Sequence, residues 1–103
     1  MSAGRRYGTF HDFYPFYLSE HRRSGTRRLH FAGTLLVLTT LVFALASGRW
    51  ALLWLVPLFG YGFAWVGHFF VERNRPATFQ YPLYSLAGDF RMFADMCRGR
   101  VSF

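Results

Sequence analysis

Histidines and one glutamate are the residues of this sequence whose types and spacing could carry out chemistry. His68 and Glu72 lie four residues apart near the end of a long apolar run, and His30 lies at the start of another. Side chains four residues apart share one face of an α-helix. Ionisable groups beside a bilayer-length segment are energetically costly, so their presence there indicates a functional role.

The positions of the histidines along the two apolar runs predict that they meet. His30 is 18 residues before Gly48, and His68 is 20 residues after it. At about 1.5 Å per helical residue, both lie on the order of 27–30 Å from a turn at Gly48. His21, on a preceding amphipathic segment, would join them. Three imidazoles and the Glu72 carboxylate at one level would suit iron, zinc or nickel.

Two questions about this site stay open at the level of the residues. Glu72 could bind the metal directly, or it could accept a hydrogen bond that orients His68. The three histidines could instead be polar groups at a lipid head-group interface, with no metal between them. A fourth histidine, His11, precedes the first predicted helix and is predicted to be solvated and not to bind metal.

The composition predicts an all-α integral membrane protein. Of the 103 residues, 52% are hydrophobic and 21% are aromatic, more than a soluble domain of this size needs. Residues 31–47 carry no charge, and residues 50–71 carry only His68 as a basic group. Each run falls within the roughly 17–25 residues that span a bilayer as helix. A soluble pair of core helices is the weaker alternative, because little polar sequence remains to cover them.

The charge distribution predicts the orientation in the membrane. The net charge is +7, with twelve basic residues that are all arginine. Eleven of them flank the apolar runs and only Arg49 lies between the runs, so both termini are predicted to be cytoplasmic. The flanking arginines would bind anionic membrane lipids. Nucleic-acid binding is not expected, since it would need a basic soluble surface.

One membrane domain is predicted over residues 10–97, between a disordered leader at 1–9 and a tail at 98–103. Its core is a two-helix transmembrane hairpin flanked by amphipathic interfacial helices. The expected helices are an interfacial helix at 13–22, transmembrane helices at 27–46 and 50–73, and an amphipathic helix at 82–97.

The faces of these helices predict their contacts. On the first helix one face is expected to lie against the bilayer; it holds Tyr14, Tyr17, Leu18 and His21. On the last helix an apolar stripe predicts either a second interfacial helix or a helix that seals the site; it holds Leu83, Leu86, Phe90, Phe93 and Cys97. A small-residue stripe suits close helix packing and, with so much exposed surface, predicts a homodimer; it holds Gly60, Ala64 and Gly67.

The motifs around the histidines resemble the Mpo1-like family. The matching segments are the aromatic stretch 13–17 followed by His21, the pair Leu29-His30, and the block 67–77, which begins Gly-His and contains Glu72 and Arg-Pro-Ala. The resemblance covers residues 10–97. It implies a membrane-bound, iron(II)-dependent dioxygenase of fatty-acid α-oxidation, which shortens a 2-hydroxy fatty acid by one carbon.

The resemblance also implies roles for single residues. His21, His30 and His68 would be the iron ligands, and Glu72 matches the acidic position of the family. Arg73 and Arg75 follow that position, and we expect one of them to hold the substrate carboxylate, because arginine matches carboxylates with two parallel hydrogen bonds. The rival functions are a non-catalytic membrane protein that binds lipid or a protein partner, and a hydrolase with a zinc-activated water.

Overall fold

In a computed structural model, which describes residues 7–76 and 79–103, the regular structure is entirely helical. The elements are α1 (Phe10–Ser19), α2 (Ser24–Ser47), a 3-10 segment (Trp50–Trp54), α3 (Leu55–Val66), a π-helical turn (Gly67–Glu72) and α4 (Pro82–Cys97). The predicted all-α class is confirmed. Most of the predicted leader, including Arg5 and Arg6, lies outside the described residues, as does Ala77 of the histidine block.

Helices α2 and α3 form the predicted hairpin. Gly48 ends α2 in the left-handed conformation with φ 72°, and its N–H bonds to the Ala44 carbonyl, an arrangement that favours glycine. The two helix backbones touch at Gly33, where an added Cβ would lie 2.7 Å from the Phe59 carbonyl oxygen. At Gly67 an added Cβ would meet α2 at 3.0 Å. Gly67 and the buried Ala64 of the small-residue stripe therefore pack within the chain, and the homodimer stays a prediction.

Two helical stretches are long and apolar enough to cross a membrane. They are Ser24–Ser47, with mean hydropathy 2.0, and Trp50–Glu72, with mean hydropathy 1.4. In their most apolar windows only 28% and 11% of the residues are buried, unlike the core helices of a soluble protein. Trp54 is 83% exposed and Phe70 is 75% exposed. Contiguous apolar surface on this scale indicates contact with lipid or with a partner.

The second of these stretches differs from the uniform helix predicted at 50–73. It begins as a 3-10 segment, continues as α3 and ends in the π-helical turn. Asn74 N–H bonds back to the His68 carbonyl at 2.8 Å, and Arg73 adopts the left-handed conformation with φ 60°. The chain therefore folds back onto His68 just after the helical stretch ends.

Helix α1 packs on α4 rather than lying with its aromatic face in the bilayer, which corrects the prediction for that face. The buried core between them contains Phe13, Tyr14, Tyr17, Met92 and Met96. Helix α1 also begins and ends three residues earlier than predicted, because the Thr9 hydroxyl caps it by accepting the Asp12 N–H at 3.1 Å. As a result, the exposed His11 lies inside α1 rather than before it.

Helix α4 uses its small and polar face for packing. The residues buried there are Ser85, Gly88, Met92, Asp95 and Met96. The apolar stripe predicted for this helix points largely outward: Leu83 is 78% exposed and Leu86 is 52% exposed. Helix α4 therefore seals the top of the hairpin with one face and leaves the apolar stripe available for an interface.

Candidate metal centre

The structure brings together the three histidines that the sequence predicted to meet. His21 follows α1, His30 lies in the second turn of α2, and His68 lies in the π-helical turn. Each is at most 4% exposed. Their ring centroids are 4.3, 4.5 and 5.0 Å apart, and one ligand atom from each lies within 4.8 Å of the others.

Backbone carbonyls fix the rings of two of these histidines. His21 Nδ1 lies 2.6 Å from the Tyr17 carbonyl oxygen, and His30 Nδ1 lies 3.1 Å from the Thr26 carbonyl oxygen. A carbonyl oxygen only accepts hydrogen bonds, so in the neutral ring each Nδ1 carries the proton and each Nε2 carries a lone pair. This tautomer is the one that metal-binding histidines use when Nδ1 is hydrogen-bonded.

A side-chain amide fixes the third ring in the same way. His68 Nδ1 lies 2.7 Å from Asn74 Oδ1, while Asn74 Nδ2 donates to the Glu20 carbonyl oxygen at 3.0 Å. The second bond decides which end of the amide faces His68, because only the Asn74 nitrogen can donate to a carbonyl. His68 is therefore also protonated on Nδ1, and its Nε2 is free to bind.

The π-helical turn explains how His68 and Asn74 come together. A π-helix adds one residue to a turn of α-helix, and such turns are frequent at functional sites. Arg73 then takes up the left-handed conformation, which is costly for a residue other than glycine. This strained turn lets Asn74 reach the His68 ring.

Two of the three donors lie at a separation that suits binding to one divalent transition metal. His21 Nε2 and His30 Nε2 are 3.0 Å apart, and two lone pairs at that distance repel unless a cation lies beside them. Two atoms that each lie about 2.1 Å from one ion are at most about 4.2 Å apart, so this pair fits. The cavity between the rings has a volume of about 10 Å³, about the size of one water. Burial, with His30 and His68 adding to it, lowers the pKa of His21 well below its ordinary value, which keeps the ring neutral and able to bind metal.

The other residues predicted for the site lie around it. Glu72 Oε1 accepts the Arg23 N–H at 2.9 Å, so its carboxylate binds the start of α2 rather than a histidine. Arg73 and Arg75 are exposed and line a separate, open surface depression with Asn74. His11 is exposed on α1, as expected for a solvated residue.

Asp89 on α4 is a site residue that the sequence reasoning missed. Its Oδ1 lies 3.8 Å from His30 Nε2 and accepts a hydrogen bond from the Tyr17 hydroxyl. Burial raises the pKa of Asp89 to about 7, and the hydrogen bond from Tyr17 opposes that shift. The available signal was its position three residues after Leu86 and one before Phe90, which places a carboxylate in the apolar stripe.

An apolar cavity of about 380 Å³ opens beside the histidine cluster. His30 and Asp89 lie at one end of it, and Val37, Leu41 and Val56 line it farther along the hairpin. The eleven residue steps from His30 to Leu41 correspond to about 16 Å of helix. The cavity can therefore take an extended apolar chain whose polar end meets the histidines.

These features define a class: a helical protein with two exposed apolar helices and a buried three-histidine centre beside an apolar cavity. The family model described as 2-hydroxy-palmitic acid dioxygenase Mpo1-like matches residues 7–101, nearly the whole chain. The chain belongs to the Mpo1-like family, which confirms the resemblance of its motifs. No curated protein and no solved structure matches it.

Proposed function

We propose that this protein is an iron(II)-dependent dioxygenase of the membrane that acts on 2-hydroxy fatty acids and shortens them by one carbon. The observation that carries the proposal is the contact between the buried three-histidine cluster and the apolar cavity. His30 belongs both to the histidine cluster and to the wall of the apolar cavity. A metal at the cluster would therefore lie at the polar end of a fatty acid whose tail fills the cavity. The description of the family supports the same reaction.

The exposed apolar surface supports a location in the membrane. Helices α2 and α3 would cross the bilayer, and the outward stripe of α4 would lie at its cytoplasmic surface. Arg49 would lie on the opposite side, because the other arginines flank the hairpin. The histidines then lie near the cytoplasmic boundary, where a fatty acid in the bilayer presents its carboxylate.

The residues of the site have distinct tasks in this proposal. Iron(II) held by the three histidines would supply the activation of oxygen, which no side chain can provide alone. Tyr17, Thr26 and Asn74 hold the imidazole Nδ1 atoms and so keep each Nε2 lone pair directed into the cavity. The walls around Val37 and Leu41 hold the tail and exclude water from the reacting end.

The surface residues around the site are assigned to positioning and to lipid contacts. Glu72 ties the π-helical turn to the start of α2 through the Arg23 N–H, which helps hold His68 in place. Arg73 and Arg75 lie outside the cavity that contains the histidines. We therefore assign these two arginines to anionic lipid head groups rather than to the substrate carboxylate.

The test is an oxygen-dependent assay on the purified protein in lipid. Protein loaded with iron(II) under anaerobic conditions is mixed with 2-hydroxypalmitic acid and oxygen, and products are identified by mass spectrometry. We expect a product one carbon shorter, formed together with oxygen consumption, and none from palmitic acid. His30→Ala should abolish the product, whereas His11→Ala should not.

Two results would contradict the proposal. Equal product formation without oxygen would indicate an oxygen-independent cleavage of the bond between carbons 1 and 2, which is the reaction of a lyase and not of a dioxygenase. No product from protein shown to contain iron and to be folded would favour a non-catalytic protein that binds lipid.

A further inference from the structure

We propose that Asp89 is a fourth ligand of the metal, so that the centre consists of three histidines and one carboxylate. This inference rests on the metal centre of the proposed function. Its first support is position. Asp89 Oδ1 lies 3.8 Å from His30 Nε2, within the separation of about 4.2 Å that two ligands of one ion can have, whereas the donors that all lie within 4.8 Å of one another are those of the three histidines alone. Asp89 also lines the small cavity between the three rings.

The second support is the charge of the cluster. Among the described residues, the ion-pair contact of Asp89 is with His30, whose Nδ1 donates to a backbone carbonyl as in a neutral ring. Asp95, on the same helix, instead pairs with a cation: its Oδ2 lies 3.1 Å from Arg91 Nε and accepts a hydrogen bond from the Tyr14 hydroxyl at 2.7 Å. The Asp89 side chain is only 26% exposed, and a largely buried carboxylate without a cation is costly. Three neutral imidazoles likewise leave the charge of a divalent ion uncompensated, so one bound ion would satisfy both groups.

The third support is the way Tyr17 connects two of the ligands. Its hydroxyl donates to Asp89 Oδ1, and its carbonyl accepts from His21 Nδ1. The Tyr17 ring stacks on the His21 ring at 4.2 Å. Metal-binding carboxylates and histidines commonly have such outer hydrogen-bond partners. Tyr17 therefore fixes Asp89 and His21 in one geometry, as a shared metal would require.

Cobalt(II) is a suitable probe, because its visible absorption reports the number and type of its ligands. Wild-type protein, Asp89→Asn and Asp95→Asn are titrated with cobalt(II) without oxygen, and folding is checked by circular dichroism. Asparagine keeps the shape of Asp89 and an oxygen for the Tyr17 hydroxyl. We expect Asp89→Asn to lower the cobalt affinity at least about ten-fold and to change the visible spectrum. Asp95→Asn should leave the spectrum unchanged.

The outcomes separate this inference from the metal centre itself. If Asp89→Asn has the cobalt affinity and the spectrum of the wild-type protein, Asp89 is not a ligand, and the three-histidine centre is unaffected by that result. No cobalt binding by the wild-type protein would overturn both. If Asp89→Asn does not fold, Asp89→Ala is measured with and without formate, a small carboxylate that can occupy the vacated space. Recovery of the wild-type spectrum with formate supports the inference, and a spectrum that formate leaves unchanged overturns it.

Discussion

Replacing Asn74 by alanine would test whether the fixed orientation of His68 matters for metal binding. The substitution removes the acceptor 2.7 Å from His68 Nδ1 and the donor 3.0 Å from the Glu20 carbonyl oxygen. It leaves the backbone bond from the residue 74 N–H to the His68 carbonyl, at 2.8 Å, in place. The π-helical turn should therefore persist while the His68 ring becomes free to rotate.

The size of the effect follows from the two lost hydrogen bonds. Each contributes about 1 kcal/mol, or about 2 kcal/mol together. About 1.4 kcal/mol changes an equilibrium constant ten-fold, so metal affinity should fall at most about thirty-fold, since the same bonds also stabilise the metal-free protein. Mutation of residues that hydrogen-bond to metal ligands typically lowers metal affinity by about 10–100-fold, which agrees with this value.

The assay is an anaerobic titration with iron(II) against a chelator of known affinity, with the apoprotein checked by circular dichroism. Asn74→Asp is the matched variant, because it keeps an acceptor for His68 Nδ1, loses the donor to Glu20 and adds a negative charge beside the ring. It should bind metal more tightly than Asn74→Ala. If Asn74→Ala is folded and binds iron as tightly as the wild-type protein, the orientation of His68 does not depend on Asn74.

Three further substitutions test the surroundings of the site. Gly88→Ala would place a Cβ 2.8 Å from the Tyr17 ring, so thermal unfolding should show a loss of about 1–3 kcal/mol and titration a weaker metal affinity; wild-type values would contradict the packing. Tyr14→Phe removes a donor to the buried Asp95 and should cost about 1.5–3 kcal/mol in chemical denaturation. Burial opposes the shift, but the hydrogen bonds from Tyr14 and an arginine hold the pKa of Asp95 below 3.8. The stabilisation that these bonds give is therefore present at neutral pH and is lost as the pH falls below that value. The free energy of unfolding of Tyr14→Phe should depend less on pH in this range. Glu72→Gln keeps an oxygen for the backbone N–H at the start of α2 and should retain its iron, measured by elemental analysis; loss of iron in step with activity would make Glu72 a ligand.

The hairpin and the meeting of its histidines could be predicted because they depend on local pattern and length. Two uncharged runs on either side of Gly48 require helices that return on each other, and equal spacing from the turn puts His30 and His68 at one level. The placement of His21 also followed, since a short amphipathic segment before a hairpin must lie near its mouth.

The rest depends on tertiary contacts that leave little trace in one sequence. The hydrogen bond between Tyr17 and Asp89 joins residues 72 positions apart, and no local period marks it. On α4 the apolar periodicity marks the stripe that points outward. The face that packs is marked instead by small residues such as Gly88, where the absence of a side chain leaves room for the Tyr17 ring. The π-helical turn, which brings Asn74 to His68, has no residue pattern of its own.

The most direct test of the central claim is oxygen uptake with 2-hydroxypalmitic acid, measured as a function of the iron bound per chain. In the wild-type protein, uptake should rise in proportion to bound iron and level off near one iron per chain. His21→Ala, His30→Ala and His68→Ala should each bind little iron and consume little oxygen, whereas His11→Ala should follow the wild-type line. Uptake that is independent of iron, or full uptake in the three buried-histidine variants, would contradict the account.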